Sequence, residues 1–189
     1  MPRLTVSANG EKNMTAKSET KVRAHAAERD FVISRVFDAP REFVWKAFTD
    51  PERMQHWWGP KGFKVIASKM DLRPGGTYHN GMKAPDGSAM WGKFVYREIA
   101  APERMVFINS FSDEAGGISR HPLAPTWPLE TLSVFTFEEA PGGKTKLTIR
   151  WSPHNATAEE QKTFDASHDG MRQGWGGTLE QLAAYLAKA

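Results

Sequence analysis

Apolar residues recur at Met171, Trp175, Leu179, Leu182 and Leu186, at spacings of four, four, three and four. That is the period of one helical face, and it predicts a long amphipathic helix over 168–188, within the stretch 157–189 around which the rest of the chain is organised. Such a helix is roughly 30 Å long and needs a large apolar partner surface. Gly170, Gly174, Gly176 and Gly177 lie in or beside it, although an interior glycine costs about 1 kcal/mol relative to alanine. Either a strand backbone approaches the helix at these glycines, or side chains are absent there because a cavity is present.

The remaining pattern is mostly strand-like. Residues 29–37 are rich in β-branched and aromatic types and stop at Asp38-Ala39-Pro40, where proline suits the first turn of a helix buried through Phe43, Val44, Ala47 and Phe48. Asp50-Pro51 starts a second short helix, from Pro51 to about Trp57, with the aspartate as its cap. Six strands then follow, at 63–72, 77–83, 88–99, 104–112, 129–139 and 144–152, separated by Pro- and Gly-rich turns. The short connections imply an antiparallel meander, and the long irregular piece 113–128 reads as a functional loop. Strand, two short helices, six strands and a long helix make an α+β domain whose seven-stranded sheet must curve over the last helix. Residues 1–27 are polar and without period, so the domain is expected over 28–189, behind a disordered tail.

Composition narrows the chemistry. The chain has 189 residues, no cysteine and a net charge of +3 without a basic stripe, which excludes thiolate catalysis and zinc-thiolate sites and gives no reason to expect nucleic acid as a partner. No apolar run reaches the length of a secretory signal or a bilayer span, so no membrane partner and a cytoplasmic location are expected. The six histidines, His25, His56, His79, His121, His154 and His168, include no pair one, three or four residues apart, so no metal is expected. Gly-x-Ser-x-Gly is absent, and Gly174-Trp175-Gly176-Gly177 sits within a helix, so it is no dinucleotide loop. Asp165, His168 and Asp169, at the start of the last helix, read as capping groups before catalytic ones.

The positive signal is aromatic: seven tryptophans spread over elements that face one another. By alternation Phe135, Phe137, Leu147, Ile149 and Trp151 share the inner face of the last two strands. Aromatic and sulfur-bearing residues near strand ends and loops are candidate walls of a small-molecule pocket: Trp57, Trp91, Phe107, Phe111, Trp127, Trp151, Phe164, His168, Met171 and Trp175. His79, Arg150 and His168 are the candidate polar groups that would orient a ligand. No catalytic residue and no cofactor is expected.

Several short motifs carry a family resemblance: Val36-Phe37-Asp38-Ala39-Pro40 with 44–51; Trp57-Trp58-Gly59-Pro60; Asp71-Leu72-Arg73-Pro74-Gly75-Gly76; Pro102-Glu103-Arg104; and Gly170-Met171 through Gly174-Trp175 to Leu186. On them the chain resembles the activator of heat-shock protein 90 ATPase-like family, within the superfamily of START and birch-pollen-allergen-like domains. The resemblance implies the helix-grip fold, a seven-stranded antiparallel sheet wrapped around the C-terminal helix with an apolar cavity between them. With the glycine-bearing helix and the aromatic residues facing it, the expected function is a stress-related binder of a small hydrophobic molecule, acting as a monomer or homodimer. Two alternatives stay open: a chaperone-interacting activator of the family's namesake type, and a polyketide cyclase- or aromatase-like enzyme.

Overall fold

The computed structural model describes residues 29–188, so the expected tail at 1–27 lies outside the described residues. Among those described, the order is β1 (Phe31–Phe37), α1 (Arg41–Thr49), α2 (Pro51–Met54), β2 (Lys64–Met70), β3 (Thr77–Lys83), β4 (Ala89–Ala100), β5 (Arg104–Ser112), β6 (Ile118–Ser119), β7 (Glu130–Ala140), β8 (Lys144–His154), α3 (Ala158–Ala166) and α4 (His168–Leu186). The strands form one antiparallel sheet in the order β1-β8-β7-β5-β4-β3-β2, with β6 paired to β5. The predicted meander is present, and β1 joins it through β8, from Phe31 opposite Trp151 to Phe37 opposite Thr145.

Three details differ from the sequence reading. The loop expected over 113–128 contains β6, which pairs with Phe111 and Ser112 where β7 no longer reaches. The second helix closes at Met54 instead of Trp57, because Trp57 turns inward to donate its indole N–H to the Ala47 carbonyl at 3.1 Å. The stretch 157–189 holds two helices, broken at Ser167, whose hydroxyl donates back to the Thr163 carbonyl at 2.7 Å and offers the backbone an alternative to a continuous helix. That break also corrects the reading of the acids: Asp165 lies in α3, accepting from Gln161 at 2.7 Å, and no side chain caps α4.

Curvature comes from the sheet itself. Register shifts between Val65 and Ala67 in β2 and between Tyr96 and Glu98 in β4 are bulges, which bend and twist a strand. The Asp71–Gly76 motif sets one corner: Gly75 N–H donates to the Tyr96 carbonyl at 2.8 Å and Tyr96 N–H returns to Gly76 at 2.9 Å. A Cβ on Gly76 would fall on the Asp71 carbonyl oxygen, so only glycine fits. The concave face buries Phe135, Phe137, Leu147 and Ile149 to 1% exposure or less, while Met171, Trp175, Leu179, Leu182 and Leu186 of α4 press on it. Fully burying each apolar side chain contributes about 1.5–3 kcal/mol, an upper bound.

The β6–β7 loop is tied to α3. Thr157 and Glu160 form a capping box, and Glu160 also accepts from the Arg120 guanidinium. Thr163 donates to Thr126 at 2.9 Å. Arg120, then the Thr157 N–H, hold the Glu160 carboxyl below its ordinary value of 4.5. A carboxylate depressed in the folded state adds stability that is complete above the ordinary value and is lost as pH falls through the folded one. Glu160→Gln is therefore expected to destabilise the protein by about 1 kcal/mol at neutral pH and to reduce the loss of melting temperature below pH 4.5. Thermal melts of both proteins from pH 7 to pH 3 check both effects.

Candidate functional site

Between α4 and the concave face lies a cavity of about 350 Å³, within the size range of small-molecule sites. Its roof is Met171, Gly174, Trp175 and Thr178 of α4. Its floor comes from alternate positions of the sheet: Asn80 and Met82 of β3, Met90, Gly92 and Phe94 of β4, and Phe107, Asn109 and Phe111 of β5. Phe135 and Trp151 continue the floor towards β7 and β8, and Ser110 borders it. Trp58, Gly59 and Pro60 form one rim and His121 another.

Aromatic packing ends the cavity on its inner side. Trp175 has its ring centroid 5.7 Å from Phe135, 5.3 Å from Trp151 and 5.9 Å from Trp58, all close to perpendicular, a favoured geometry for aromatic pairs. Phe94 stacks on Phe107 at 4.2 Å. Trp58 donates its indole N–H to Asn80 Oδ1 at 3.3 Å, and Asn80 Nδ2 donates to the Gly92 carbonyl at 3.3 Å, so this buried amide is used at both ends. Gln181 of α4 donates to the carbonyls of Trp57 and Gly59 and fixes the rim to the helix.

The lining is apolar with a few neutral polar groups. It contains no Asp, Glu, Lys or Arg. The titratable lining residue is His121, whose imidazole burial holds below the ordinary histidine value. Below the cavity, burial pushes the Tyr78 phenol up to about 12, against a weaker opposing hydrogen bond with Ser68, so it too is neutral. No three His, Asp or Glu side chains among the described residues converge as a metal site would require.

The ten candidate residues divide. Phe107, Phe111, Trp151, Met171 and Trp175 come together around the cavity. Trp91 borders it from β4, yet it stands opposite Gly81 in the register, and a Cβ on Gly81 would meet its indole at 2.7 Å. Its ring therefore lies on the convex face, stacked on His79 at 5.1 Å. Trp57 is 1% exposed and belongs to the core under α1. Trp127, Phe164 and His168 lie outside the lining and form an aromatic run at α3, with Phe164 5.6 Å from Trp127 and 5.5 Å from His168, and Trp127 touching the rim residue His121 at 6.2 Å. Among the proposed orienting groups, His79 Nε2 donates to the Asp113 carbonyl, 3.1 Å away, Arg150 is exposed, and His168 is half-buried outside the lining. Trp58, Asn80, Asn109, His121 and Thr178 were not foreseen. Counting in twos from Phe107 and Phe111 identifies Asn109, and its cross-strand partners lead to the rest of the floor.

The glycines of α4 are explained by open space. A Cβ on Gly170, Gly174, Gly176 or Gly177 would meet nothing within 4 Å, so no strand backbone approaches there, and Gly174, exposed on α4, borders the cavity. Gly174→Ala should accordingly raise stability by up to about 1 kcal/mol through helix propensity. Chemical denaturation checks the sign; a loss of stability would mean that the space at Gly174 is filled.

Comparison with known proteins follows the same outline. The family model described as "Activator of Hsp90 ATPase homolog 1-like protein" matches residues 38–187. The solution structure of a protein from Arthrobacter aurescens is 28% identical, with a TM-score of 0.70 over 87% of this chain and 88% of that one. Protein Ms6760 from Mycobacterium smegmatis is 27% identical, with a TM-score of 0.68 over 83% and 90%. The AHSA1 protein SPO3351 from Silicibacter pomeroyi, 22% identical with a TM-score of 0.63 over 84% and 97%, shares the fold. No curated protein matches this chain.

Proposed function

Because this chain belongs to the Activator of Hsp90 ATPase homolog 1-like family, whose helix-grip fold commonly holds hydrophobic ligands, we propose that it binds a small, largely apolar molecule between α4 and the sheet. The observation that carries this reading is the cavity of about 350 Å³ beneath the Met171–Thr178 stretch of α4, bordered by Gly174. A site kept open by glycine on a helix that would be more stable with alanine is a site maintained for an occupant. Its walls supply apolar area, and the few polar groups among them supply orientation. The cyclase-like alternative calls for several titratable groups inside, whereas this lining offers His121 and no carboxylate or cation. The site thus suits holding a molecule more than acid–base chemistry on it.

The test is direct. N-phenyl-1-naphthylamine, an uncharged dye whose emission rises in apolar surroundings, should bind one per chain and be displaced by other apolar molecules. Gly174→Phe should place a ring in the cavity and abolish dye binding while cooperative melting persists. A folded Gly174→Phe protein that binds the dye as tightly as the parent would remove the cavity as the site. Stimulation of a purified heat-shock ATPase by both proteins alike would then favour the chaperone-interacting alternative.

A further inference from the structure

Beside Phe111, two polar side chains at the cavity have no protein partner for the group they present; the indole N–H of Trp151, which also lines the cavity, is a third group without one among the described residues. Asn109 sits in the middle of β5 on the concave face, between Phe107 and Phe111 and opposite Phe94. An amide is costly to keep in such a row unless it is hydrogen-bonded. The contrast with Asn80, whose two ends are both engaged, is sharp: neither end of the Asn109 side chain meets a protein donor or acceptor among the described residues, and the residue lines the cavity.

His121 is the second. Its Nδ1 accepts the Leu123 backbone N–H at 3.0 Å, so in the neutral ring the proton is on Nε2, a donor with no protein partner among the described residues. The ring is held edge-on to Phe111 at 4.5 Å. Phe111 thus has Asn109 two residues before it on the same face and His121 against its ring, so the two polar groups flank one aromatic wall. Around them the lining carries no formal charge, and Arg120, next in sequence to His121, is turned away to Glu160.

Building on the reading that the cavity binds an apolar molecule, we propose that the ligand is uncharged and carries a carbonyl or hydroxyl group, placed beside Phe111 to hydrogen-bond Asn109 and His121. A wholly apolar ligand would cover both half-buried groups and leave them without a hydrogen-bond partner. A carboxylate or ammonium would enter without a counter-charge. A neutral molecule with one polar group on an apolar body satisfies both constraints.

The full chain and four matched probes test this by calorimetry: naphthalene, 2-naphthol, 2-acetylnaphthalene and 2-naphthoate at pH 7.5. The expected order places 2-naphthol and 2-acetylnaphthalene about five- to tenfold tighter than naphthalene, the difference one hydrogen bond makes, and 2-naphthoate at least about 100-fold weaker than the neutral polar pair. In Asn109→Leu, of similar volume, the neutral polar probes should lose their advantage while naphthalene binds at least as well; His121→Phe should act in the same direction. Equal affinity for naphthalene and its neutral polar derivatives, or tight binding of 2-naphthoate, overturns this inference and leaves cavity binding standing. Absence of binding by all four removes the cavity reading and this inference with it. The ordering among probes is measured on the parent protein, so it decides the matter even if a variant fails to fold.

Discussion

Everything in this domain depends on burying one side of α4 in the concavity of the sheet. Trp175 is the centre of that contact: its ring meets Phe135 from β7, Trp151 from β8 and Trp58 from the segment after α2. A flat sheet could not reach a helix from all three directions. The bulges in β2 and β4 and the tight glycine corner at Gly76 are thus as much a part of the core as its apolar residues. Towards the C-terminal end, Leu179, Leu182 and Leu186 continue the seam without interruption, and there the interior is closed.

Towards the N-terminal half of α4 the same contact is deliberately incomplete. Gly174, at the exposed edge of the cavity, projects no side chain towards β4 and β5, whereas the position of Gly92 is taken up by the Asn80 amide. Between them the interior stays open, although close packing is the rule for protein cores. The rims around this space are fastened independently: Gln181 and the Trp58–Asn80 pair hold the 57–60 segment, and Arg120, Thr126 and Thr163 hold the β6–β7 loop to α3. A cavity with fixed rims keeps its shape when empty, which reduces the ordering entropy that binding would otherwise have to overcome.

Much of this frame was legible in the sequence because it is written in local patterns. The helical period of Met171 to Leu186 and the alternation of Phe135 to Trp151 each depend on neighbours a few residues away, and both appear in the structure as expected. The cavity walls were harder to read because they depend on register across strands. Trp91 lines the cavity from β4, but its pairing with Gly81 turns its indole to the convex face. Asn109 is an ordinary polar residue inside a strand by sequence, and its meaning comes only from the rows of Phe94, Phe107 and Phe111 around it. Trp127, Phe164 and His168 are aromatic and close to loops, yet they pack on one another beside α3 instead of lining the cavity. The glycines of α4 announced an exception without saying which kind, since a close backbone and an empty space call for the same residue.

The most direct measurement of the central claim is a crystal structure of the protein under xenon pressure. Xenon enters preformed apolar cavities and needs no hydrogen bonds. The account predicts xenon between Gly174 and the Asn109–Phe111 segment, with Trp58, Trp175 and Phe94 keeping the positions they hold in the empty protein. A cavity region without xenon, with Trp58 or Met171 folded into the space, would show that sheet and helix close completely on each other and that the opening at Gly174 does not exist.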